Sequence, residues 1–128
     1  MKIIPRGDTT VIDAYLSPIL RRYVNQFENA LGTEKKDKGK LMFMQSKGGI
    51  TDAHFFQGKD AILSGPAGGV VGMVKTGEKA GFKKLIGFDM GGTSTDVCHY
   101  NGDYERTLET QVAGVRLRAP MMLINTVA

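Results

Sequence analysis

Asp89 and Asp96 enclose two glycines and three hydroxyl side chains, Gly91, Gly92, Thr93, Ser94 and Thr95. Adjacent glycines let a backbone approach a ligand closely and point successive N–H groups into one concavity, which is an anion-binding arrangement. The three hydroxyls add donors. Carboxylates beside a phosphate make chemical sense when a cation lies between them. Mg²⁺ keeps several waters and takes one or two carboxylates plus phosphate oxygens, a role open to Asp89 with Asp96 as second ligand. For a bare D-x-G-G the plain alternative is a polar glycine hairpin. The full string DMGGTSTD, held between two apolar runs, favours the ligand reading.

The elements that must position these residues are legible nearby. Residues 85–88 are apolar and long enough for a buried strand, residues 97–100 form a second, and Asn101-Gly102 is a strong two-residue hairpin signal. The pattern is strand, glycine turn, strand, hairpin, strand. Tyr104, Arg106, Leu108 and Thr110 continue it with period two until Gly114, residues 115–118 read as another short strand before Pro120, and residues 121–124 are a further apolar run.

Upstream, residues 61–63 predict a short strand that turns at Ser64 into a helix over 66–80, stopped by Gly81. Each interior glycine costs such a helix about 1 kcal/mol relative to alanine. Gly68, Gly69, Gly72 and Gly77 therefore need a reason, and close approach to the phosphate loop or to a neighbouring helix supplies one. Residues 72–77 are not a P-loop, because Glu78 stands where its lysine belongs.

The first part of the chain carries a scaffold. Residues 1–7 read as an extended lead-in. Ile12, Tyr15, Leu16, Ile19, Leu20, Tyr23, Val24, Phe27 and Leu31 then fall at helical spacing and predict a broad buried stripe ended by Gly32. Asp8, Thr9 or Thr10 can cap it, and Pro18 predicts a kink or a restart with Ser17 as cap. Residues 32–40, rich in lysine, read as an exposed loop. Residues 41–44 predict a central strand buried on both faces, followed by a loop over 45–49 and a short helical turn capped by Thr51 or Asp52.

At 128 residues the chain is one domain at most. A net charge of +4 raises nucleic acid as a partner, but the lysines are bunched without interleaved aromatics, so no nucleic-acid surface is expected. The single cysteine excludes an internal disulfide, and without a signal peptide or long apolar span the default is cytoplasmic, with no membrane partner. There is no Ser–His–Asp set, no paired histidines and no Cys–His pair, so the catalytic residues of any hydrolysis are not assigned. His54 lacks a second ligand at metal spacing, and Cys98 and His99, adjacent on a strand, face opposite sides.

Three blocks, residues 9–15 (TTVIDAY), 64–72 (SGPAGGVVG) and 88–97 (FDMGGTSTDV), resemble the hydantoinase A / 5-oxoprolinase family. The last block is similar to the second phosphate loop of the actin, hexokinase and heat-shock-chaperone ATPase superfamily. The resemblance covers most of the chain. It implies an α/β fold, a mixed sheet with flanking helices forming one lobe of an actin-like (ribonuclease H-like) ATPase. Residues 1–128 would be part of a single ATPase-like domain of a longer chain, which the family continues past residue 128. It implies ATP with Mg²⁺ as cofactors. Gly65, Gly68 and Gly69 join the residues from Gly91 to Thr95 at the nucleotide, with Asp89 and Asp96 at the metal. The implied activity is ATP-driven hydrolysis of a cyclic amide, 5-oxoproline or a hydantoin, together with the remaining lobes of the protein or a partner subunit. The isolated chain, with one phosphate loop, is expected to be inactive. The alternatives are the ATP-using subunit of a ketone carboxylase and a nucleotide-binding module without chemistry. Lys47 departs from the family's usual Asn or Asp. Asn125, where many hydantoinase relatives carry His, leans the substrate toward 5-oxoproline. Arg116 and Arg118, two apart on a strand, are one candidate pair for a substrate carboxylate, against the plainer reading of surface charge.

Overall fold

The long helix forms and begins earlier than its apolar spacing predicts. The computed structural model describes residues 3–32 and 39–127, and α1 runs Ile3–Leu31 within it. Of the lysine-rich loop expected at 32–40, residues 33–38 lie outside the described residues. Thr9 and Thr10 do not cap the helix. Their hydroxyls donate to the carbonyls of Pro5 and Arg6 one turn back, at 3.1 and 2.8 Å, as mid-helix threonines do. From Ile3 onward the expected extended lead-in is thus helical. Pro18 sits inside one uninterrupted helix, and Ser17, predicted as a cap, instead donates to Asp13 and accepts from the Gly58 amide. Gly32 does end the helix, with φ 61°.

The predicted stripe is only partly covered. Val24 is fully buried with Ala53 and Phe56, and Leu20, Leu41, Phe43 and Ala61 pack around them. The Phe43 and Phe56 rings stack at 4.9 Å in that cluster. Farther along α1, Tyr15 is 74% exposed, and Ile19, Tyr23 and Phe27 are exposed too. One apolar stripe runs the length of α1, while the partner elements reach only some of its turns.

The central strand predicted at 41–44 is a peripheral one. β1 (Met42–Met44) pairs only with β2 (Ile50–Asp52), antiparallel, and Met42 is exposed. Asp52 caps the following 3-10 turn, Ala53–Phe55, by accepting from the His54 amide at 3.0 Å. No strand forms at 61–63. Instead α2 (Gly58–Ala61) lies against α1, so close that a side chain on Gly58 would come within 2.8 Å of the Ser17 backbone nitrogen. The chain turns from α2 straight into α3 (Ser64–Lys79), which ends where Gly81 takes φ 86° and the Phe82 amide reaches the Gly77 carbonyl at 2.9 Å.

β3 (Leu85–Met90) and β4 (Thr95–Tyr100) form the predicted antiparallel hairpin, and β9 (Asn125–Val127) adds to the other edge of β4. Leu85 and Gly87 face α3, whereas Ile86, Phe88 and Met90 stand exposed on the outer face of the sheet. The single strand predicted from Tyr104 to Thr110 is divided. β5 (Arg106–Thr107) pairs with β8 (Met121–Met122), and β6 (Thr110–Val112) pairs with β7 (Val115–Leu117). Ala113 and Gly114 both take positive φ, 50° and 78°, in the turn joining β6 to β7, as a type I′ hairpin requires. The chain does turn at Asn101-Gly102, but not in the two-residue turn expected: a Tyr100–Tyr104 bridge encloses three residues, and only Gly102 takes a positive φ. The chain is α/β, helices with small sheets whose described pairings are all antiparallel. A second core, Leu117, Ala119 and Met121, packs against Ile12, Ile62 and Leu63. No helix among the described residues is long and apolar enough to cross a membrane.

Candidate functional site

The hairpin register places Asp89 directly across from Asp96 and Gly87 across from Cys98. Alternation along each strand puts these four residues on one face, the face toward α3. The approach there is close: a side chain on Gly87 would come within 2.6 Å of the Met73 sulfur. Toward the open end of this interface lies a pocket of about 330 Å³, whose lining includes Pro66, Gly69, Val70, Asp89, Asp96 and Ile124. Opposed like charges destabilise a strand pair, so two facing carboxylates are a liability unless a cation joins them. Asp96 accepts from the Thr126 hydroxyl at 2.6 Å, whereas the Asp89 carboxylate is exposed and has no partner among the described residues.

The connecting loop differs from the expected nest. Gly91 donates its N–H to the Ser94 carbonyl at 2.8 Å, closing a tight turn on Gly92 and Thr93, and neither glycine takes a positive φ. An anion nest alternates right- and left-handed residues, and this turn holds no left-handed one. The Gly91 amide is thus occupied by the turn. The hydroxyls of Thr93, Ser94 and Thr95 carry no hydrogen bond among the described residues.

On α3 the glycines divide by what they touch. A side chain on Gly77 would collide with Leu85 at 2.5 Å, the expected close approach, and one on Gly68 would meet Met44 at an ordinary 3.7 Å. Gly65, Gly69 and Gly72, at i, i+4 and i+7, face open space instead. Gly69 lines the pocket with both aspartates; Gly65, Gly68 and residues 91–95 lie outside its lining.

Two neighbouring groups lack the makings of a catalyst. Burial raises the Cys98 thiol above its ordinary range, so it is a weak nucleophile. His99, on the outer face, bonds Glu105 through Nδ1 at 2.8 Å. Among the described residues no three His, Cys, Asp or Glu side chains gather as a metal cluster. Arg116 is committed to Asp8, donating from Nε and Nη2 to one oxygen at 3.1 and 2.8 Å, and that bond raises its pKa. Arg118 meets Thr9 through backbone and hydroxyl. The surface-charge reading of this pair therefore stands for Arg116.

Sequence reasoning missed Ser46 and Thr126. Ser46 is buried and bonds Asp60 and Leu63 through its hydroxyl. A lone serine after an apolar strand gives no signal of that; Thr126 could be found only once its strand was known to lie beside Asp96.

Comparison with known proteins gives the chain relatives. The chain is 48% identical, over its whole length, to 5-oxoprolinase 1 of Arabidopsis thaliana and 45% identical to 5-oxoprolinase of Saccharomyces cerevisiae, and spans about 10% of each. A nucleotide-free structure of acetone carboxylase, from work on ATP-dependent acetone carboxylation, superposes with a TM-score of 0.73 at 30% identity, covering 84% of this chain and 15% of that one. An actin-like ATPase-type lobe is consistent with that likeness. Residues 6–128 match the hydantoinase/oxoprolinase family, and the chain belongs to it.

Proposed function

We propose that the chain works inside a longer polypeptide as part of one ATPase-like domain of an ATP-dependent cyclic-amide hydrolase, and that it holds one side of the Mg²⁺–ATP site. The observation that carries this is the facing pair Asp89 and Asp96 at a pocket whose opposite wall is the bare Gly69 backbone. The residues fit the group: two carboxylates suit Mg²⁺, which needs no larger protein cluster. The unpartnered hydroxyls of Thr93, Ser94 and Thr95 suit phosphate oxygens, and the open faces of Gly65 and Gly69 admit a bulky anion. Asp89 would hold the cation, with Asp96 oriented by Thr126 as its second ligand. ATP, when bound, supplies a phosphoryl group that activates an amide carbonyl toward water. Phosphoryl transfer depends on positioning and electrostatics. A single phosphate loop supplies half of that positioning, so the chain by itself is inactive and the other lobe completes the site.

For the substrate, Asn125 favours 5-oxoproline; it stands on β9 across from Val97, one residue from Thr126. The test of this function is ATP turnover by the longer polypeptide with Asp89→Asn. Strongly reduced turnover with the fold intact is expected. Unchanged turnover at saturating Mg²⁺ removes the assignment. The likeness to acetone carboxylase makes an ATP-using carboxylase subunit the second reading. Turnover with a ketone and bicarbonate but with no cyclic amide would select it.

A further inference from the structure

The pocket has three walls from separate parts of the chain. The hairpin gives Asp89 and Asp96, the start of α3 gives Pro66 and Gly69, and the segment between β8 and β9 gives Ile124. The hairpin is fixed by its own ladder. The other two walls are fixed at one residue that does not line the pocket. Ser46 is only 1% exposed. Its hydroxyl donates to the Asp60 carbonyl at 2.7 Å and accepts from the Leu63 amide at 3.0 Å. Its own amide donates to the same Asp60 carbonyl at 2.7 Å, and its carbonyl accepts from the Met122 amide at 2.8 Å.

Each bond ends beside a wall. Leu63 immediately precedes α3 and accepts the Ala67 amide at 3.0 Å, so its position sets where the first turn of α3 begins. Met122 lies two residues before Ile124 and four before Thr126, the partner of Asp96. A buried serine with every polar group satisfied has one geometry available to it, and displacing it would leave the Leu63 amide without a partner.

We propose that Ser46 is a positioning residue for the nucleotide pocket: it locks the glycine wall of α3 and the β8–β9 segment at a fixed separation across from the aspartates. This rests on the function proposed above. A merely structural role predicts lost stability alone, whereas positioning predicts an altered pocket in the protein that remains folded.

The experiment compares Ser46→Ala with Val24→Ala, which removes side-chain volume from the other core cluster, in the longer polypeptide. Both variants should lower Tm. Only Ser46→Ala should raise KM for ATP, by about tenfold, the scale of one lost buried hydrogen bond, with a smaller change in kcat. Equal Tm losses with KM for ATP unchanged in both would overturn the proposal. If Ser46→Ala does not fold, Ser46→Cys keeps a side-chain donor and acceptor while weakening both bonds. It must raise KM in the same direction, and an unchanged KM overturns the proposal. Asp89→Asn in the same series separates the two ideas. If it leaves ATP turnover intact, the nucleotide reading fails. If it removes turnover while Ser46→Ala behaves like Val24→Ala, only the positioning role fails.

Discussion

Asp89 stands directly across the β3–β4 hairpin from Asp96, and both carboxylates face α3. Directly paired positions lie roughly 5 Å apart at Cβ, and like charges at that distance weaken the sheet. Asp96 is held by Thr126; Asp89 is held by nothing among the described residues. Replacing Asp89 therefore removes a repulsion without breaking a hydrogen bond. In metal-free buffer, Asp89→Asn should raise the stability of the chain by about 0.2–1 kcal/mol. Added Mg²⁺–ATP should stabilise the unaltered longer polypeptide and not the variant. Thermal denaturation with and without Mg²⁺–ATP measures both effects, and a variant less stable than the parent in metal-free buffer contradicts the first.

Two glycines should respond in opposite ways. Gly69→Ala places a methyl in open space on a helix, so it should stabilise the fold by up to about 1 kcal/mol while raising KM for ATP, because that methyl enters the pocket. Gly58→Ala drives a methyl to within 2.8 Å of the α1 backbone at Ser17. It should cost about 1–3 kcal/mol, as overpacking does, and leave KM for ATP unchanged in whatever remains folded. Denaturant melts and ATP saturation curves on the same samples decide both.

Glu78 provides a pH test away from the pocket. The Lys75 hydrogen bond, at 3.0 Å, and then the Tyr100 hydroxyl, at 2.9 Å, hold its carboxyl below the ordinary range. A depressed folded pKa means the stabilisation is complete above the unfolded carboxylate pKa and fades as pH falls through the folded value. Tyr100→Phe removes one donor, so the Glu78 titration should move upward, toward the ordinary value, and the loss of stability on acidification should be smaller and be complete at a higher pH. Carboxyl NMR titration reads this directly, and an unmoved Glu78 refutes it.

How much was legible in the sequence follows from how local the cause of each feature is. The β3–β4 hairpin, the Gly32 and Gly81 helix stops and the Asp52 cap each depend on neighbouring residues, and each was readable. The central position expected for the strand at 41–44 and the strand expected at 61–63 failed for a different reason. Apolar runs there state that a segment is buried, not which partner buries it, and residues 61–63 are fixed through Asp60 and Leu63 by Ser46 from a distant loop. The start of α1 was missed because Thr9 and Thr10 serve equally as caps or as back-bonding interior residues. At the site, the facing of Asp89 and Asp96 follows from a short hairpin. The turn at Gly91 does not, since two glycines permit a nest without requiring one.

The proposed substrate preference rests on Asn125, on the β9 edge. The longer polypeptide should release glutamate from 5-oxoproline with ATP consumed, and turn over hydantoin more slowly, in side-by-side assays. Hydantoin opening without glutamate release would reverse the preference. Inactivity toward both would favour the carboxylase subunit or a binding module.

The outer face of the β3–β4–β9 sheet has a practical consequence. Phe88 is 71% exposed there, beside Ile86, Met90 and Val127, all likewise uncovered. Contiguous apolar surface of this kind drives self-association, and the attraction weakens on cooling. A purified sample of these residues alone will keep best cold and dilute. Warming it will precipitate folded molecules through this face before the hairpin beneath has melted.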